Sequence, residues 1–156
     1  AGKSFSFTGW KVGWATGPAH LIGAVKVVRQ HLSYVSSGPF QWAIAEGLAF
    51  PDSYWESFRH DLQTKRDLFT GGLRDLGFGI VESEGTYFLS TDVRPLGFET
   101  ADEFCRQLPE KFGVVAIAHS WLSRTPQTKT TFVRWAYCKK ETVLLEAIER
   151  LEGLRK

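Results

Sequence analysis

Two lysines, Lys3 and Lys11, stand in the opening segment Gly2-Lys3-Ser4-Phe5-Ser6-Phe7-Thr8-Gly9-Trp10-Lys11-Val12-Gly13-Trp14, among glycines, hydroxyls and aromatic rings. An amine that must attack a carbonyl carbon needs a dry, shaped pocket to lower its basicity and a loop that lets it reach. Phe5, Phe7 and Trp10 can supply the dryness, and Gly2 and Gly9 the freedom. Lys11, near Ser4, Ser6 and Thr8, can complete a phosphate cradle of ammonium and hydroxyl groups. Taken singly, either lysine reads as an ordinary solvated residue; the surroundings give the pair its chemical content.

Arg134 is the second residue that breaks a local rule, because it interrupts the apolar run Thr131-Phe132-Val133-Arg134-Trp135-Ala136-Tyr137. On an edge strand its guanidinium would sit in water. Buried, it would need an anionic partner, and its planar fork suits a carboxylate. His119, followed by Ser120 and Trp121 at the end of an apolar stretch, either faces a pocket or has a structural role. Asp102 and Glu103 read as a solvated helix start, where negative charge suits the helix dipole. None of the four histidines pairs with Cys105, Cys138 or a serine at a catalytic spacing. The sequence has no metal-ligand cluster and no glycine-rich phosphate loop of the Walker or dinucleotide kind.

The elements that must position these residues follow from periodicity. Lys11 to Ala15 alternate as a short strand would, and Gly17-Pro18 opens a helix with Leu21, Val25, Val28 and Leu32 at helical spacing. Ser36-Ser37-Gly38-Pro39 breaks that pattern, and Phe40 to Phe50 reads as a second, buried helix. Ser53 and Glu56 have capping-box spacing ahead of a long helix that Gly77 stops. Strands are expected at Phe78 to Ser83 and Thr86 to Thr91 around the turn pair Glu84-Gly85. A helix capped by Thr100 and Glu103 runs to Gly113, strands follow at Val114 to Ala118 and Thr131 to Tyr137, and Glu141 to Leu154 is a final amphipathic helix. The order is a short α/β piece, a long helix, then a β-β-α-β-β-α unit.

Composition excludes several function classes. A net charge of +2 over 156 residues, with no cluster of Lys and Arg, is too weak a footprint for nucleic acid or a membrane surface. No apolar run approaches the ~20 residues that span a bilayer. Two cysteines make no disulfide framework, so a reducing cytoplasm is the expected setting. The chain opens inside what reads as a functional loop and contains no methionine. The expectation is therefore the downstream part of a longer protein.

These residues resemble a known family. The Gly2 to Trp14 segment, Glu84-Gly85-Thr86-Tyr87-Phe88-Leu89, Val114-Val115-Ala116-Ile117, and Phe132-Val133-Arg134 running into Cys138-Lys139-Lys140-Glu141-Thr142 are similar to class I/II pyridoxal-phosphate aminotransferases. The branch is the one that includes kynurenine aminotransferases, and the stretches 30–40, 85–104 and 108–117 look most like actinobacterial succinyldiaminopimelate aminotransferases. The resemblance implies an α/β chain, the C-terminal part of a fold-type I transferase. Residues 1–52 would be the tail of the large cofactor domain, 53–77 a connecting helix, and 78–156 the small α/β domain.

It further implies that Lys3 bonds covalently to pyridoxal 5'-phosphate and shuttles a proton, that Lys11 holds the cofactor phosphate, and that Arg134 binds the substrate's α-carboxylate. His119 and Trp121 would shape the substrate side. They stand on a departure from the family, because relatives often have proline where this chain has Ala118. The partners implied are an amino acid and a 2-oxo acid, with N-succinyl-diaminopimelate and 2-oxoglutarate favoured, on a homodimer. The groups that hold the pyridine ring lie upstream of the lysine in this family, so an upstream segment is expected to complete the site and the isolated segment to be inactive. A same-fold carbon-sulfur β-lyase, a kynurenine aminotransferase and a non-catalytic fragment are the alternatives.

Overall fold

The computed structural model describes residues 1–125 and 129–155. Contacts divide the chain into two compact units, Ala1–Trp55 and Glu56–Lys156.

In the first unit the opening loop contains a 3₁₀ turn at Thr8–Trp10, followed by helices α1 (Ala19–Leu32) and α2 (Gly38–Leu48). The strand expected over Lys11 to Ala15 does not form. Lys11 closes the 3₁₀ turn with φ +53 and ψ +33, a left-handed conformation that no strand accommodates. Proline stands directly before α1 and in the first turn of α2, where a missing N–H costs nothing. The helical stripe of α1 is real, but the helix buries none of its residues. α2 corrects its sequence reading too: only Ile44 and Gly47 are buried, and Trp42 is 77% exposed.

Helix α3 (Asp52–Asp75) starts at Asp52, so Ser53 lies within its first turn rather than ahead of it as a cap. It supplies Phe69, Leu73 and the following Leu76 to the core of the second unit, and Gly77 ends it at φ +92. Strands β1 (Gly79–Val81), β2 (Phe88–Asp92), β3 (Ile117–Ala118) and β4 (Phe132–Ala136) form a four-stranded antiparallel sheet of order β1-β2-β4-β3. Helix α4 (Ala101–Phe112) links β2 to β3, and α5 (Glu141–Leu151) follows β4. The Thr100 cap is made as read: its side chain accepts from Glu103 N, and Gly113 closes α4 at φ +61.

Alternation then assigns the two faces of the sheet. Leu89 and Thr91 of β2 face Trp135 and Val133 of β4 across the ladder, and all four are buried. Trp135 is the centre of that face, edge-on to Phe69, Phe78 and Phe104, with its Nε1 donating to Thr91 Oγ1 at 2.9 Å. Leu108 of α4 and Leu144 and Leu151 of α5 complete this core. Phe88, Ser90 and Arg134 therefore point to the opposite face.

Asp92 ends β2, buried, and accepts from Arg94 N at 3.0 Å and Arg94 Nε at 2.7 Å. The Arg94 guanidinium bond holds its carboxyl at about 2, against burial, which pushes it up. A lowered value means that the stabilisation is present above the unfolded carboxyl's ordinary range and is lost as pH falls through about 4 toward 2. Asp92→Asn is expected to cost about 1–2 kcal/mol at neutral pH, toward the lower end because Arg94 is open to water. Unfolding midpoints of the two proteins should converge between pH 4 and pH 2.5; a gap that stays constant with pH would assign the loss to packing instead.

Candidate functional site

Local geometry fixes the lysine loop before any side-chain chemistry begins. Phe5 N donates to Ala1 O at 3.0 Å, Ser6 N to Lys3 O at 3.3 Å, and Thr8 Oγ1 to Gly2 O at 3.2 Å. Phe5 is buried against Gly47, where an added Cβ would meet its ring at 2.8 Å, and it packs among Phe50, Tyr54 and Trp55. Phe7, Trp10 and Phe40 stack in succession at 4.6 Å between rings. The aromatics thus anchor the loop, and both Lys3 and Lys11 are exposed.

Among the described residues, the non-glycine positions at positive φ are Ser6, Lys11, Tyr34 and Thr86. Two of them lie in this loop, and such strain collects where a surrounding structure holds a functional segment in place. The donor set fits a phosphorylated aldehyde: a primary amine on an anchored loop, with a second ammonium and hydroxyls nearby in sequence.

In the second unit Arg134 sits in the middle of β4, which lies between β2 and β3, so the edge-strand reading is excluded. Its cross-strand neighbours are Ser90 and Ile117. The guanidinium carbon lies 4.1 Å over the Phe88 ring, and its buried Nε has no hydrogen-bond partner among the described residues. A buried N–H of a cation without an acceptor is costly, and a carboxylate is the acceptor that a planar fork satisfies best.

His119 begins the 3₁₀ turn His119–Leu122 directly after β3. Its Nε2 lies 3.1 Å from Ser90 Oγ, and its ring is 6.2 Å from that of Phe132. Burial, and then the Arg134 charge, push its imidazole below the ordinary histidine value, which favours the neutral ring. Trp121 Nε1 donates to Asp102 Oδ1 at 2.6 Å, Ser120 Oγ donates to Asp102 Oδ2, and Arg106 lies 5.9 Å from the Trp121 ring. Asp102 is therefore no solvated helix start. The Ser120 bond first, with Trp121 and Arg106, holds its carboxyl below the usual range against burial.

The structure thus joins His119 to Arg134 through Ser90 on one sheet face of the second unit, and keeps Lys3 and Lys11 on one loop of the first. Sequence reading missed Phe88, Ser90 and Asp102. The expected strand over Thr86 to Thr91 already put Phe88 and Ser90 on one face. Nothing in the sequence tied Asp102 to residues 18 and 19 positions away.

Comparison with known proteins adds to this geometry. The model of the family described as aminotransferase class I and II matches residues 1–151. The probable N-succinyldiaminopimelate aminotransferase DapC of Mycobacterium tuberculosis is 44% identical over 162 residues, covering 99% of this chain and 41% of that protein. The solved structure of N-succinyldiaminopimelate aminotransferase from Mycobacterium tuberculosis superposes with a TM-score of 0.90 at 45% identity, over 98% of this chain and 40% of that one. Kynurenine–oxoglutarate transaminase of Dictyostelium discoideum is 31% identical over all of this chain and 40% of its own length. The chain spans about two fifths of the curated relatives it matches.

Proposed function

The chain belongs to the class I and II aminotransferases, a pyridoxal-phosphate-dependent family, and on that basis we propose that its protein moves an amino group between an amino acid and 2-oxoglutarate, with N-succinyl-diaminopimelate as the donor. The observation that supports this most directly is Arg134, whose guanidinium carbon lies over Phe88 and whose buried Nε, without a partner among the described residues, calls for a carboxylate. Every amino acid carries one beside the reacting carbon.

In this reading Lys3 Nζ holds the cofactor and then takes and returns the proton of the substrate's α-carbon, while Lys11 pairs with the phosphate. Bound pyridoxal phosphate supplies the electron sink that makes that proton removable. Arg134 orients the substrate through its α-carboxylate, which fixes the α-carbon bond presented for cleavage. His119 and Trp121 line the side-chain pocket. Residues 1–52 are the tail of the large domain, 53–77 the connecting helix and 78–156 the small domain, in a homodimer whose upstream segment completes the site. Cys105, buried and pushed up to about 12 by burial, and Cys138, exposed, are both free thiols, as a cytoplasmic setting would leave them.

The substrate assignment rests on two features. The relative at 44% identity has a name that carries this substrate, and His119 and Ser90 stand beside Arg134 as further polar groups for a second carboxylate. Side-by-side kcat/KM values on the intact gene product test it, with N-succinyl-diaminopimelate expected to exceed kynurenine by about tenfold or more, the worth of one charge-assisted hydrogen bond. A preference for kynurenine would overturn the donor and leave the family in place.

A further inference from the structure

Arg134, Ser90 and His119 form a row of polar groups on one face of the sheet. Ser90 is the cross-strand partner of Arg134, and His119 reaches Ser90 from the turn that follows β3. The hydroxyl–imidazole pair has a property that does not depend on where its proton lies. If Ser90 donates to Nε2, the neutral ring keeps its Nδ1–H; if Nε2–H donates to Ser90, the hydroxyl keeps its own hydrogen. Either way one donor is left over for a ligand. Such a pair favours a side chain that ends in an acceptor, a carboxylate or an amide, over one that ends in a thioether or a hydrocarbon, which would leave the donor unmet.

The His119–Leu122 turn needs something to hold the pair in register. β3 is two residues long, which is little to fix the segment that follows it. Asp102 supplies the hold from a different element. On the first turn of α4, it accepts from Ser120 Oγ and Trp121 Nε1, the two residues after His119. Both bonds are charge-assisted, and one carboxylate receiving two donors fixes position and orientation together. Arg106, one turn along the same helix, lies against the Trp121 ring.

We propose that Asp102 is a positioning residue for substrate selection: by clamping Ser120 and Trp121 to α4 it keeps His119 bonded to Ser90 beside Arg134, and the pair selects amino donors whose side chain carries a hydrogen-bond acceptor. The proposal rests on the aminotransferase reading above and adds to it which residues read the side chain and what holds them.

The test is a double-mutant cycle on the intact gene product, measuring kcat/KM for N-succinyl-diaminopimelate and for methionine, together with the cofactor absorbance spectrum and the unfolding midpoint. Asp102→Ala should lower the ratio of the two values by about tenfold, through KM, with the spectrum unchanged. His119→Ala should lower it by as much. The double variant should fall no further than His119→Ala alone, because both act through one group. Asp102→Asn keeps the shape and an acceptor for Trp121, and Ser120 can reverse its role, so its ratio should stay within about threefold of the parent.

An unmoved ratio in Asp102→Ala, an equal loss with both donors accompanied by a lowered midpoint, or additive losses in the double variant would each overturn the proposal. A parent protein that transaminates no amino acid would overturn the aminotransferase reading, and this with it. An active parent with an unmoved ratio overturns this proposal alone.

Discussion

Lys3→Ala in the intact gene product is expected to abolish turnover, with kcat falling by roughly three orders of magnitude or more. A positioned acid–base group alone contributes about 10²–10⁴, and Lys3 is also assigned the covalent hold on the cofactor. Lys3→Arg should be as inactive, since a guanidinium stays protonated and is no nucleophile, whereas a residue that only contributed charge would be rescued by it. The direct check is chemical. Borohydride treatment of the parent protein with pyridoxal phosphate should leave a cofactor-labelled peptide that contains Lys3, and the label should vanish in both variants. A label on any other lysine, or a Lys3→Ala variant within tenfold of the parent, would remove the assignment.

The structure adds a physical reason to expect Lys3 to be held for such a task. Its loop is pinned at Phe5 against Gly47 and at Thr8 against Gly2, and it carries two residues at positive φ. Substitution of Lys3 leaves those anchors in place, so the unfolding midpoints of the cofactor-free parent and variant should coincide, and any difference between the loaded proteins should come from the lost hold on the cofactor.

Arg134→Lys is the second large effect. Lysine keeps the charge and can still lie over Phe88, but it loses the fork, and each charge-assisted bond lost is worth about 1.5–3 kcal/mol, or roughly one to two orders of magnitude in kcat/KM. The loss should be similar for every amino donor, because the α-carboxylate is common to all. This separates Arg134 from His119 and Asp102, whose substitutions are expected to change the ratio between donors. A variant impaired toward one donor only would move Arg134 to the side-chain pocket.

The two halves of the candidate site were unequally legible. Lys3 and Lys11 announced themselves because glycines, hydroxyls and rings crowd them within a few residues. Arg134 did so because a cation in an apolar strand is an anomaly that a single strand displays. The β-β-α-β-β-α order of the second unit was readable for the same reason: alternation, helical spacing and the Thr100 and Gly113 caps are local signals. The readings that failed are also instructive. Lys11 to Ala15 has the alternation of a strand, yet a single left-handed residue turns it into the end of a 3₁₀ turn. The Phe40 to Phe50 helix is apolar enough to be buried, but burial depends on what covers it, and the structure leaves most of it exposed.

By itself the sequence determined the residue chemistry, the order of the elements in the second unit and the faces of its strands, since side-chain type, capping and periodicity are set by neighbours along the chain. Only the tertiary structure decided that β4 is an inner strand, that Phe88 lies under Arg134, that His119 meets Ser90, and that Asp102 clamps the turn after β3. The reason is that strand order and long-range hydrogen bonds depend on which elements come together in space. A carboxylate on one helix carries no mark in the sequence of the two donors it will accept from a turn many residues on.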